Sequence, residues 1–128
     1  MPTKEESLRS NSFQARVHEW VVSCFPPSAH GDRRERTHRF LEEALELAQA
    51  SGCSRADALA LVDYVFSRVE GDAAEETGGV LVTLAALSNI QGINMDDAGE
   101  VELARNWSRI EQIRAKQASK PRGSALPQ

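Results

Sequence analysis

Arg39-Phe40-Leu41-Glu42-Glu43-Ala44-Leu45-Glu46-Leu47-Ala48 is the stretch from which the fold can be read. Placed on a helix turning about 100° per residue, Phe40, Leu41, Ala44, Leu45, Leu47 and Ala48 fall in one apolar arc. Glu43 stands at the edge of that arc, and Glu46 lies one turn further on the same flank. Two carboxylates three residues apart on a rigid helix can point at one spot beside a packed core. Hard cations such as Mg²⁺ use that donor chemistry. The ordinary reading of such acids is a solvated face, because Glu is a strong helix former. A second acidic element further along the chain is what turns attention to a cation.

The 128 residues suit a single core, with 41% hydrophobic and 27% charged residues. A net charge of −4 argues against a general nucleic-acid binder, while leaving room for a local basic patch. Cys24 and Cys53 have neither metal-ligand spacing nor the number for a disulfide framework, so a reduced, cytoplasmic protein is expected. The N-terminal residues lack the apolar core of a signal peptide, and the apolar run Val80–Leu87 is far too short to span a bilayer. No membrane and no nucleic-acid partner is expected.

Outward from the opening stretch, the periodicity predicts about five helices. Residues 5–24 carry Phe13, Val17, Trp20, Val21 and Cys24 at helical spacing, and Pro26-Pro27 stops them. Phe13 and Trp20 read as core; since aromatics can also stack on a nucleobase, Gln14 and Trp20 are alternative base contacts. Asp32 can cap the second helix, which ends at Gly52. Its first turns hold Arg33, Arg34, Arg36, His38 and Arg39, cations that oppose the helix dipole. Two readings stay open: pairing within the helix, Arg39 with Glu42 and Glu43, or anion contacts by Arg36 and Arg39, whose forked guanidinium groups suit phosphate.

Ser54 starts a third helix over 54–69, with Leu59, Leu61, Val62, Val65, Phe66 and Val69 as a wide apolar arc and Asp63 solvated. A fourth helix runs from Gly71-Asp72 to about Gln91. Its Glu76 shares a face with Val80, Thr83 and Leu87, so a core-facing carboxylate needing a partner, a proton or a cation is expected there. Gly78 and Gly79 permit close approach by a neighbour or a ligand. After a turn at Gly92, with Asn94 as cap, the last helix covers about 96–118 with Leu103, Trp107, Ile110 and Ile113 as its stripe. Asp96 and Glu100 are candidates to point inward. Residues 1–118 are expected to form one domain, and 119–128 a disordered tail.

With these residues in place, the pattern resembles the MazG-like all-α nucleoside triphosphate pyrophosphatase family. Members carry EExxE on one helix and ExxD on a later one. Glu42-Glu43-Ala44-Leu45-Glu46 matches the first element, and Glu76-Thr77-Gly78-Gly79 matches the second only in its glutamate. The resemblance implies a helical bundle that forms a homodimer or homotetramer, with Mg²⁺ (or Mn²⁺) bound by Glu43, Glu46 and Glu76. It implies catalysis by Glu42 and Glu43, with Glu42 orienting or deprotonating water, and nucleotide phosphates held by Arg36, Arg39, Asn106 and Arg109. The implied reaction cleaves a (d)NTP substrate to the monophosphate and pyrophosphate, a housecleaning of non-standard nucleotides included. Gly79 stands where the fourth ligand, Asp, belongs; Asp72, Asp96 or Glu100 are the candidates to replace it. The alternative is a non-catalytic nucleotide-binding or regulatory helical protein that has lost that ligand.

Overall fold

The computed structural model describes Met1, Thr3 and residues 11–119. Most of the expected start of the first helix and all of the tail beyond Ser119 lie outside the described residues. Within them the chain is all helical: α1 Phe13–Cys24, α2 Pro27–His30, α3 Arg33–Ala50, α4 Arg55–Phe66, α5 Ala73–Ile90, α6 Met95–Ser108 and α7 Ile110–Ser119. No strand occurs among these residues. The expected five helices become seven, because Pro26-Pro27 starts a further short turn of helix and the last helix breaks at Arg109. Ser119, expected in the tail, is the last residue of α7. No helix among the described residues is long and apolar enough to cross a membrane.

Side-chain caps set the helix starts. Ser12, Ser54 and Asp72 accept from the amides of Ala15, Asp57 and Glu75 at 3.1 Å each. Asp32 does the same for Glu35 at 3.2 Å. Each satisfies an amide that the first turn of a helix leaves unbonded. Gly52 and Gly92 set two of the ends, with φ of 94° and 65°. The next amides, Cys53 and Ile93, reach back to the carbonyls of Ala48 and Ser88, both at 2.9 Å. That six-to-one bond with a left-handed residue before it is the Schellman ending.

The chain divides into two compact units: residues 1–38 with 96–128, and residues 39–95. The first has its own core of Trp20, Cys24, Phe25, Ala29 and Leu103, flanked by Val17, Val21, Ile110 and Ile113. Trp20 meets Phe25 edge-on, with ring centroids 5.5 Å apart and planes at 84°. Ile110 and Ile113 join this core from α7, as the stripe of the last helix predicts. Trp107 of the same stripe is 38% exposed. Phe13 is also partly exposed, but its ring lies over Gly99, where a Cβ would come within 3.0 Å of Cζ. Arg114 donates from Nη2 to the Ser23 carbonyl at 2.5 Å, placing a cation at the C-terminus of α1.

The second unit is different. Ser88 is its one buried side chain among the described residues. The arc of α4, expected as core, is exposed throughout, to 85% at Phe66. Val69, just beyond α4, and Ile90 of α5 are exposed to 97% and 86%. The Gln91 amide Nε2 donates to Ser51 Oγ at 3.1 Å, joining the C-terminal ends of α3 and α5.

Candidate functional site

The acids of the opening stretch sit on α3, within the second unit. Glu43 and Glu46 are exposed and Glu42 is half-buried. On a helix the i, i+3 spacing of Glu43 and Glu46 sets them on one flank, one turn apart. Arg39 lies one turn earlier, its Nη1 at 3.6 Å from Glu42 Oε2. The pairing reading of Arg39 therefore holds for Glu42.

Glu76 follows the Asp72 cap in the first turn of α5 and is exposed. This corrects the expected core-facing carboxylate. Val80 and its neighbours do form an apolar helix, but nothing in the unit covers that side, so Glu76 stays in solvent and needs no compensating partner. Its carboxylate folds back over the loop: a Cβ on Gly71 would stand 2.6 Å from Glu76 Oε1. Among the described residues no group of three or more His, Cys, Asp or Glu is placed to hold a metal ion. Glu43, Glu46 and Glu76 thus do not form such a group within one chain.

The three candidates to replace the missing Asp are otherwise engaged or turned outward. Asp72 is the cap of α5. Asp96 is exposed in the first turn of α6. Glu100 does not point inward; it accepts from both terminal nitrogens of Arg16, one of them at 2.7 Å. That pairing holds the Glu100 carboxyl below the usual carboxylate range and raises Arg16, the hydrogen bonds being the main cause in both.

The expected phosphate contacts are dispersed. Arg36 belongs to the first unit, where its guanidinium lies 4.8 Å over the Phe25 ring and 3.5 Å from Glu35. It serves that core edge as a cation on an aromatic face. Asn106 is half-buried near the end of α6, and Arg109 is exposed in the turn between α6 and α7; both lie in the first unit. Trp20 is core, as read, and Gln14 is exposed on α1.

Sequence reasoning missed Glu35, which is only 6% exposed beside Arg36. An acid in a first turn reads as a dipole complement, so no signal marks it as buried. The Arg16–Glu100 pair joins residues 84 positions apart, beyond any local pattern. Cys24 is buried and free, and burial pushes its thiol upward, partly offset by the charges of Arg114 and Arg36. Among the described residues each unit opens a hollow on its surface. One of about 820 Å³ in the second unit is lined by Ala48, Cys53, Asp57, Tyr64 and Leu87. The other, about 320 Å³ in the first, lies beside Arg16, Glu100 and Trp107. Neither is lined by Glu43, Glu46 or Glu76.

Compared with known proteins, the chain matches no protein-family model, no curated protein and no solved structure.

Proposed function

We propose that this chain is a Mg²⁺-dependent nucleoside triphosphate pyrophosphohydrolase of the MazG-like kind, working as a homodimer or homotetramer in the cytoplasm. The observation that carries the reading is the exposed carboxylate pair Glu43 and Glu46 on one flank of α3, with Arg39 one turn away. Mg²⁺ keeps several waters and is commonly held by one or two carboxylates together with substrate phosphates. A pair on a rigid helix therefore meets its needs for a metal that arrives with the nucleotide, without a third acid from the same chain. Bound there, the ion would neutralise phosphate charge and acidify a water.

The chain's own residues do the rest. Glu43 and Glu46 would hold the cation, with Glu76 the further acid that the resemblance implies. Glu42 accepts the proton of the attacking water. The water oxygen bonds to the α-phosphorus as the bond to the bridging oxygen of the β-phosphate breaks, releasing pyrophosphate and the monophosphate. Arg39, one turn before Glu43 on the same helix, contacts phosphate oxygens.

Incubation with each NTP and dNTP, with and without Mg²⁺ or Mn²⁺, tests this. Monophosphate plus pyrophosphate, formed only with metal, is the expected result. Glu43→Gln and Glu46→Gln should each abolish it with little change in stability, because both side chains are exposed. Diphosphate plus phosphate, or unchanged turnover in both variants, refutes the proposal.

One observation favours a second reading. Gly79 provides no carboxylate, Asp72 is committed as a cap and Glu100 to Arg16. A nucleotide binder without turnover would give thermal stabilisation by nucleotide and no product.

A further inference from the structure

Helix α4 carries an apolar strip with a carboxylate at each margin. At about 100° per residue, Leu61, Val65, Val62, Phe66 and Leu59 follow one another around one side of the helix. Asp57 stands about 40° beyond Leu61, and Asp63 about 40° beyond Leu59. All five apolar side chains are exposed, Phe66 to 85%. Apolar residues exposed singly are ordinary, whereas a contiguous row of them marks a contact surface.

The charge around the strip is one-sided. Asp57 and Asp63 are exposed, and among the described residues neither forms an ion pair. Residues 39–95 hold nine Asp and Glu against three Arg and no Lys, a net −6; with −4 for the whole chain, the remainder carries +2. The three cations do not offset the margins. Arg39 is engaged with Glu42, Arg68 lies over the Tyr64 ring at 4.4 Å, and Arg55 is the first residue of α4.

We propose that this strip docks an amphipathic helix of a different protein, one with Lys or Arg on both sides of its apolar stripe. Apolar anchors at i, i+3, i+4 and i+7 of that helix lie along Leu61, Val65, Val62, Phe66 and Leu59. Its flanking cations meet Asp57 on one side and Asp63 on the other. The 12 residues of α4 give about 18 Å of strip, the length of roughly three helical turns of the partner. A second copy is the wrong complement. It sets its own Asp57 and Asp63 against the same margins and brings a unit of −6 onto a unit of −6. An anionic membrane surface fails for the same reason. The homo-oligomer proposed above therefore uses other surfaces, and the docking is independent of the proposed chemistry.

The test is fluorescence anisotropy of a labelled peptide of about 18 residues, with Leu at i, i+3, i+4 and i+7 and Lys elsewhere, titrated with the full chain. Saturable binding that weakens between about 50 and 300 mM salt is the expected result. The same peptide with Glu for Lys, and a scrambled peptide of the same composition, should each bind at least tenfold more weakly. Phe66→Ser and the double variant Asp57→Asn/Asp63→Asn should each lower affinity for the Leu/Lys peptide at least tenfold, with circular dichroism melts showing that both fold. Unchanged binding by both folded variants, equal binding of the three peptides, or no saturable binding overturns the proposal. So does binding of phosphatidylcholine vesicles without binding of the peptide, which makes the strip a lipid surface. Dissociation of a wild-type oligomer by Phe66→Ser, seen by sedimentation, makes a second copy the occupant and overturns it too.

Discussion

Replacing Trp20 by alanine and by phenylalanine separates two opposed terms in the core of the first unit. Trp20 is 9% exposed, and among the described residues its buried indole Nε1 has no hydrogen-bond partner. A buried aromatic of about 200 Å² contributes ~5 kcal/mol at 25 cal/mol per Å², and the edge contact with Phe25 adds ~1 kcal/mol. The unfolded chain already buries part of that area, so Trp20→Ala should cost about 4 kcal/mol. Trp20→Phe keeps a ring in place and loses ~50 Å², about 1 kcal/mol. It also removes the unpartnered N–H, whose burial costs ~1–3 kcal/mol. The net change for Trp20→Phe should lie within about 1 kcal/mol of zero. Urea unfolding followed by far-ultraviolet circular dichroism measures both, since helix content reports the transition without the missing indole. A Trp20→Phe cost above about 3 kcal/mol would show that the indole N–H has a partner and refute the reasoning.

Three further outcomes follow from geometry already described. Gly52→Ala should destabilise by ~1–2 kcal/mol, because its φ of 94° is costly for a residue with a Cβ while the space around it is open; a neutral result in the same urea assay would contradict the left-handed ending. Arg16 holds the Glu100 carboxyl low, so the folded state binds its proton less readily than the unfolded chain does. The pair's contribution is then present above the unfolded value of about 4.3 and is lost as pH falls through the lower folded one. The Tm gap between wild type and Glu100→Gln should therefore be present at neutral pH and close on acidification, and a gap constant with pH would refute this. Under the proposed function, Gly79→Asp adds a carboxylate one turn after Glu76; placed ~4 Å from a bound divalent ion it would add ~2 kcal/mol even at the dielectric of water, so half-maximal turnover should then need at least tenfold less Mg²⁺. An unchanged Mg²⁺ dependence would argue against a cation on that face.

The helix boundaries were largely legible because local chemistry sets them. Asp32 and Ser54 read as caps, Gly71-Asp72 as the opening of a helix, Gly52 as an end and Gly92 as a turn, and the structure makes each through a local bond its sequence position dictates. The break at Arg109 has no proline or glycine to announce it. Burial was legible only where the chain covers itself. Trp20, Cys24 and Leu103 are core because α1, α6 and α7 share one unit. The apolar arc of α4 and the face of Glu76 have the same periodicity and no such cover. Periodicity tells which side of a helix is apolar and nothing about what lies against it. For the candidate site, the flank shared by Glu43 and Glu46 follows from helical spacing, whereas the engagement of Arg36 with the Phe25 ring depends on how the chain passes from α1 through the short helix at Pro27 to α3.

The first unit is assembled from both ends of the chain. Arg16 meets Glu100, Ser23 meets Arg114, and Phe13 lies over Gly99. On the ribosome these partners emerge about 85 residues apart, which at ~5–20 residues per second is roughly 4–17 s. Through that interval α1 has left the tunnel with Trp20, Cys24 and Phe25 uncovered, while 39–95 emerges behind it. Helix α1 is made well before its partners and is buried only when they arrive. A chain halted after Met95 would display two unfinished apolar surfaces at once, and such a fragment is the form of this protein that a holdase chaperone would grip most firmly.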